Sequence, residues 1–183
     1  MKKIAMTTEI KKKLNKNTVA NLQSTNANLV NATINELSET GNASYVPMLI
    51  ELLHSTSDNE TKHQINKLLG ELKHSDAIPM IVDAIRDSHY SDELQGLLEA
   101  CWQNGLDYSK HLATFIDLVI ENEFMIAFEA HTVIMNMTQP IAPAASATEM
   151  QKLKEAVLNA DENKRSLMFD IIELLPRLEK GIQ

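Results

Sequence analysis

Val46-Pro47-Met48-Leu49-Ile50-Glu51-Leu52-Leu53 returns as Ile78-Pro79-Met80-Ile81-Val82-Asp83-Ala84-Ile85, and more loosely as Leu112-Ala113-Thr114-Phe115-Ile116-Asp117-Leu118-Val119. The offsets are 32 and 34 residues. Four columns are apolar in every copy: Val46/Ile78/Leu112, Leu49/Ile81/Phe115, Ile50/Val82/Ile116 and Leu53/Ile85/Val119. Their i, i+3, i+4, i+7 spacing draws one stripe along an α-helix. The column Glu51/Asp83/Asp117 is acidic each time and is expected to face water. Pro47 and Pro79 follow short polar stretches, and proline is tolerated in a first helical turn, where its missing N–H is not needed. Each copy therefore reads as a helix with its start marked.

A second helical pattern follows each first one. It is expected over Thr61 to Leu72 (Ile65, Leu68, Leu69, Leu72), Asp92 to Asn104 (Leu94, Leu97, Leu98, Cys101) and Phe124 to Met137, the last apolar on most sides. Ile65, Leu97 and His131 share a column at the same offsets, as do Leu68, Ala100 and Ile134. A helix pair with one apolar stripe per helix cannot bury itself alone. It buries the stripe against the next copy, and the result is a solenoid. An ordinary bundle of chance look-alikes is the alternative, and a fixed acidic column with two matched prolines argues against it.

The x-[VI]-P-M-[LI]-[IV]-[ED]-x-[LI] motif, a polar turn and a second amphipathic helix together resemble the HEAT repeat family, in the short-period form first noted in phycobilin lyases. The resemblance is clear over residues 43–137 and faint over 27–40 and 146–179. It implies an all-α fold, a right-handed α-α superhelix: a short HEAT-like solenoid of antiparallel helix pairs whose second helices line a concave surface. HEAT repeats usually carry an Arg early in the second helix and an Asp in the turn before it. Asp58 and Asp87 supply the Asp, but only Lys62 approaches the basic position. Lyase-type activity is therefore not part of what the resemblance implies.

Three segments follow from this: a polar, basic N-terminal cap over 1–26, HEAT-like repeats over 27–137, and a helix pair over 138–183 that continues or caps the array. In the first, Lys2, Lys3, Lys11, Lys12, Lys13 and Lys16 stand against Glu9 alone, a local charge of +5. Ile10, Leu14, Val19 and Leu22 allow one short amphipathic helix there. Residues 27–40 read as the second helix of a degenerate first pair, with Ile34 and Leu37 lying 31 residues before Ile65 and Leu68, and Gly41-Asn42 at its stop. Expected N-caps are Asp58, Ser91 and Ser109. Thr148 with Gln151 suggests a capping box after the two-proline stretch 138–146. Met150, Leu153 and Val157 should form one face, and Pro176 should kink or end the last helix.

Composition agrees with an all-α chain: 183 residues with five Gly, five Pro and 4% aromatics. A lone cysteine, Cys101, excludes an internal disulfide and sits on an apolar stripe, so it reads as a small buried hydrophobe. Without an apolar run of membrane length, and with Thr7-Thr8-Glu9 interrupting any signal-like opening, the expected location is the cytoplasm.

No catalytic constellation emerges. None of the six histidines forms HExxH or pairs with a cysteine at ligand spacing, and there is no phosphate-cradling glycine loop and no GxSxG. Catalytic residues, metal ligands and cofactors are accordingly expected to be none. His131, in a stripe column, is expected to be structural and half-buried. The nine methionines, including Met125, Met135 and Met137, are expected to fill core, with a soft partner groove as a distant second reading.

Charge narrows the partners. The net charge is −8, and from Asp83 to Ala147 ten acids stand against Arg86 and Lys110. That centre repels a phosphate backbone, and it lacks the basic, aromatic-lined face of HEAT-like DNA glycosylases. The concave-face candidates are His63 and Lys67, then Gln95, Glu99 and Trp102, then Glu129 and Asn136, with Gly70 beside the first two. Glu99 and Glu129 are read as solvated, and Trp102 either packs on a neighbouring repeat or anchors a partner. The resulting expectation is a non-catalytic interaction module or scaffold that binds another protein, a basic or polar peptide. Two alternatives stay open: a HEAT-like enzyme or enzyme subunit, and nucleic-acid binding through the basic arm at 2–16.

Overall fold

A computed structural model of the chain describes residues 14–40 and 43–181. The basic residues before Leu14, and the Gly41-Asn42 stop, lie outside the described residues. Those described contain α-helices and 3₁₀ turns and no strand. The α-helices are α1 (Lys16–Leu22), α2 (Ala27–Thr40), α3 (Val46–Ser55), α4 (Asn59–Gly70), α5 (Ile78–Ile85), α6 (Leu94–Asn104), α7 (Leu112–Glu121), α8 (Phe124–Met135), α9 (Pro143–Val157) and α10 (Glu162–Lys180). The chain divides into two compact units, Met1–Glu93 and Leu94–Gln183.

The repeat is visible in the starts of the helices. α3, α5 and α7 begin at Val46, Ile78 and Leu112, and each is entered through a three-residue 3₁₀ turn, at Ala43–Tyr45, Ser75–Ala77 and Ser109–His111. Pro47 and Pro79 both sit in the first turn of their helices. All twelve stripe positions are buried except Ile78, which is half-buried. The second-helix stripe is buried as well: Ile65, Leu68, Leu69 and Leu72, then Leu97, Leu98 and Cys101. Each fully buried Leu or Ile contributes roughly 1.5–3 kcal/mol of transfer free energy.

In the first unit, α3 packs on α5 and α2 packs on α4, while α3 and α4 form a pair and α1 packs on α2. First helices thus contact first helices, and second helices contact second helices, which is how stacked pairs share one core. Asn15 caps α1 by accepting from Asn17 N at 2.8 Å, and its own N–H donates to Tyr45 Oη at 2.9 Å, so α1 is tied to the turn before α3. Asp58 caps α4 as expected, accepting from Thr61 N at 2.8 Å. Ser91 does not cap α6: it lies inside a 3₁₀ segment, Ser88–Glu93. Asp87 opens that segment by accepting from His89 N at 3.0 Å. Two contacts fasten the segment to α3: His54 Nδ1 meets Glu93 Oε2 at 2.9 Å, and Tyr90 Oη donates to Glu51 Oε2 at 2.9 Å. Burial, then Glu51, pushes the Tyr90 phenol up to about 12.

The second unit repeats the arrangement. α7 packs on α9, α8 packs on both α6 and α10, and the pairs are α7/α8 and α9/α10. Ser109 lies in the 3₁₀ turn rather than capping a helix, and its N–H is held by Asp107 Oδ1 at 2.9 Å. The other Asp107 oxygen accepts from Thr138 N and Thr138 Oγ1, each at 2.6 Å, and from Gln139 N at 3.0 Å. Burial raises the Asp107 carboxyl, but these hydrogen bonds outweigh it and hold the group at about 2. One carboxylate thus fixes the chain on leaving α8 to the turn before α7. The acidic column is not uniformly solvated here, because half-buried Asp117 accepts from Lys152 Nζ of α9 at 2.8 Å.

Two expectations for the C-terminal pair are corrected, the extent of the two-proline loop and the cap at Thr148. α9 starts at Pro143, inside the expected loop, so Thr148 is mid-helix and its hydroxyl donates back to Ala144 O at 3.0 Å. Its buried face is Ser146, Glu149 and Leu153, with Met150 and Val157 half-buried. Pro176 does not end α10, which runs on to Lys180 and stops at Gly181 in the left-handed region. There φ is +63°, and a Cβ would stand 3.3 Å from Pro140 Cγ, so glycine is required twice over. Lys164, early in α10, donates to Ile120 O at 2.8 Å and Asn122 O at 2.6 Å, capping the C-terminal end of α7.

Candidate interaction face

His63 and Lys67, four residues apart on α4, are both exposed. With Ile34, Asn35 and Ser38 of α2 they line a shallow groove of about 210 Å³ between the two second helices of the first unit. Gly70 is buried and offers no surface.

In the second unit the helices α6 and α8 bring Gln95, Glu99, Trp102, Glu129 and Asn136 to one side. Gln95 donates to Glu99 Oε1 at 2.9 Å. Asn136 is turned back on its own helix, donating to Thr132 O at 2.8 Å. Trp102 Nε1 donates to Glu129 Oε2 at 2.8 Å, linking α6 to α8. Glu129 is only 7% exposed, so it is a buried acceptor and not a solvated acid. Trp102, 36% exposed, both packs against the adjoining helix and shows part of its ring to solvent.

The larger feature is one that sequence reasoning kept only as a second reading. Phe124, Met125, Phe128 and Met135 of α8 are 40–49% exposed and fall on one side of the helix. The Phe124 and Phe128 rings lie 6.1 Å apart. The opposite side of α8, with Ala127, Ala130, Val133 and Ile134, is buried. The expected core-filling role holds for Met137, which is buried, and fails for Met125 and Met135. A helix apolar all round is either enclosed or waiting for a second neighbour, and that was the available signal. Leu29 on α2 and Phe169 on α10 are exposed too. Among the described residues every exposed large hydrophobe lies on a second helix, except Leu158 just after α9.

The remaining chemistry is quiet. Among the described residues no group of three or more His, Cys, Asp or Glu side chains could hold a metal ion. No described helix is long and apolar enough to cross a membrane. Cys101 is buried, and burial pushes its thiol up to about 12, far from a nucleophile's range. His131 is half-buried as its stripe column suggests, with Nε2 3.4 Å from Asp170 Oδ2 of α10. Burial lowers its pKa, and Asp170 opposes the shift.

A family model described as HEAT repeats matches residues 16–101. Residues 16–101 are HEAT repeats. The match opens at α1 and ends within α6, so it covers the degenerate first pair that the sequence pattern carries only faintly. No curated protein matches the chain. HEAT repeats commonly serve as protein-interaction scaffolds. The fifth pair also carries an Asp and an Arg in that pattern, unnoticed in the sequence: Asp161 caps α10 through Lys164 N at 2.9 Å, and Arg165 follows in the first turn.

Proposed function

We propose that the protein is a non-catalytic interaction module whose second helices hold another protein. One observation carries the reading: apart from Leu158 just after α9, the exposed large hydrophobes among the described residues all lie on second helices, Leu29 on α2 in the first unit and the rest on α6, α8 and α10 in the second. A patch of exposed apolar side chains rimmed by polar groups marks an interaction surface far more often than it marks a stable free surface. Burial of such side chains supplies most of the energy in protein association.

The test is recovery of a partner from the source cells by tagged protein. A Trp102→Ala/Phe128→Ser variant on the second helices should lose that partner. An Asp83→Lys variant on a first helix should keep it. Loss of the partner with Asp83→Lys and retention with the second-helix variant would overturn the proposal.

A further inference from the structure

We infer that the exposed stripe of α8 is a docking site for a basic amphipathic helix, an inference that rests on the interaction-module reading above. Phe124, Met125, Phe128 and Met135 occupy roughly 16 Å of helix at a rise of about 1.5 Å per residue, the length of three turns of a partner helix. Apolar anchors at helical spacing on one helix fit the i, i+3/i+4, i+7 anchors of another.

The charges around the stripe select the partner. No Lys or Arg occurs between Lys110 and Lys152, and Lys164, the one cation among the described residues placed beside the start of α8 by a hydrogen bond, has its ammonium taken up by the carbonyls of Ile120 and Asn122. Glu121 and Glu123 are exposed at the N-terminal end of the stripe. On one flank of α8, Glu129 is bonded to Trp102 of α6, the helix that also carries Glu99. On the other flank, His131 faces Asp170 of α10, whose side chain is half-exposed. His131 adds no lasting positive charge, since burial disfavours its protonated form. An apolar stripe inside an acidic rim attracts a helix that carries Lys or Arg beside its apolar face. A second copy of this chain would bring the same acidic rim against its twin, and like charges oppose that contact. Anionic lipid is opposed for the same reason.

Full-length protein is titrated into a fluorescently labelled 18-residue peptide of Leu and Lys, with Leu at i, i+3, i+4 and i+7, and binding is followed by anisotropy. Two controls run beside it: a shuffled isomer that breaks the stripe, and a Leu/Glu peptide of the same pattern. Saturable binding of the Leu/Lys peptide is expected, at least tenfold tighter than either control. Phe128→Ser/Met135→Ser should weaken it at least tenfold, and Glu121→Lys/Glu123→Lys severalfold. His63→Ala/Lys67→Ala should leave it within twofold. Both pairs alter exposed side chains, and retained helical circular dichroism confirms their folding. Equal binding of the shuffled or Leu/Glu peptide, or unchanged affinity in the α8 variants, overturns the inference. So does sedimentation in which the native chain is a dimer and Phe128→Ser/Met135→Ser a monomer. A cellular partner lost with Trp102→Ala but indifferent to Phe128→Ser/Met135→Ser would end this inference while sparing the module reading.

Discussion

Removing the indole N–H of Trp102 isolates the central polar contact of the second unit. Trp102→Phe keeps an aromatic ring on α6 but leaves Glu129 Oε2 without the donor now at 2.8 Å. Glu129 is 7% exposed, so water cannot fully replace that donor. A hydrogen bond to a charged group contributes about 1.5–3 kcal/mol, and stranding a buried acceptor costs its desolvation penalty as well. The expected loss is therefore about 2–3 kcal/mol, or roughly 4–12 °C in Tm at about 2–4 °C per kcal/mol for a chain of this size. Glu129→Leu should cost less, under about 1 kcal/mol, because Trp102 at 36% exposure can turn its N–H to water. In the double variant both polar partners are gone, so its cost should fall below that of Trp102→Phe alone. Urea unfolding followed by circular dichroism on the four proteins gives a coupling of about 1–2 kcal/mol. Additivity within about 0.3 kcal/mol would refute the reasoning, since it would mean that the carboxylate is already satisfied by solvent.

Asp107→Ala should cost about 1–2 kcal/mol in urea unfolding, a figure discounted because its bonds to Thr138 and Gln139 are exposed. The folded Asp107 pKa, about 2, lies below the ordinary 3.8, so its stabilisation is complete above pH 3.8 and is lost as pH falls toward 2; Asp107→Ala should lack that part of the acid limb. His131 has a lowered pKa, so the unfolded chain binds its proton first: stability should fall as pH drops below the ordinary 6.5, and calorimetry of His131→Gln should give a flatter profile. Lys164→Met should cost about 1–3 kcal/mol by uncapping the carbonyls of Ile120 and Asn122, read as a lower urea midpoint at unchanged m. Pro176→Ala should raise the unfolding free energy by about 1 kcal/mol or more, read as a higher urea midpoint, since proline inside α10 removes one backbone hydrogen bond and alanine restores it.

The fold was legible because one pattern recurs. Leu49, Ile81 and Phe115 could be aligned by eye, and all three are fully buried at matching points of α3, α5 and α7. Helix starts were legible where proline marks the first turn, as Pro47 and Pro79 do, or where a side chain caps directly, as Asp58 does. Ser91 and Ser109 misled because a 3₁₀ turn stands between each serine and its helix, so the hydroxyl never reaches the orphan N–H groups. Thr148 misled because its hydroxyl can equally donate to the carbonyl four residues back, which is what it does. Pro176 stays inside α10, the continuing-helix outcome its kink-or-end rule allowed, with Leu175 and Leu178 buried on either side. The exposed stripe of α8 was legible only as the second reading of a helix apolar on most sides. Periodicity separates apolar from polar faces, and α8 has apolar side chains on both.

The residues that recur and the residues left over serve different ends. The acidic column looked like a shared outer surface, yet two of its three members make internal contacts, while Asp83 faces water as expected. Glu51 accepts from Tyr90 in the first unit, and Asp117 accepts from Lys152 in the second. What repeats at a period near 33 residues is therefore scaffold: a stripe to bury and, in two copies of the three, an acid to fasten the next segment. Phe124 and Phe128 stand exposed side by side on α8, and no repeat-building contact needs them exposed. A side chain that costs solubility and adds nothing to the stacking of helices is best explained by something outside the chain. In a repeat protein, then, the columns locate the frame, and the departures from the columns locate the site.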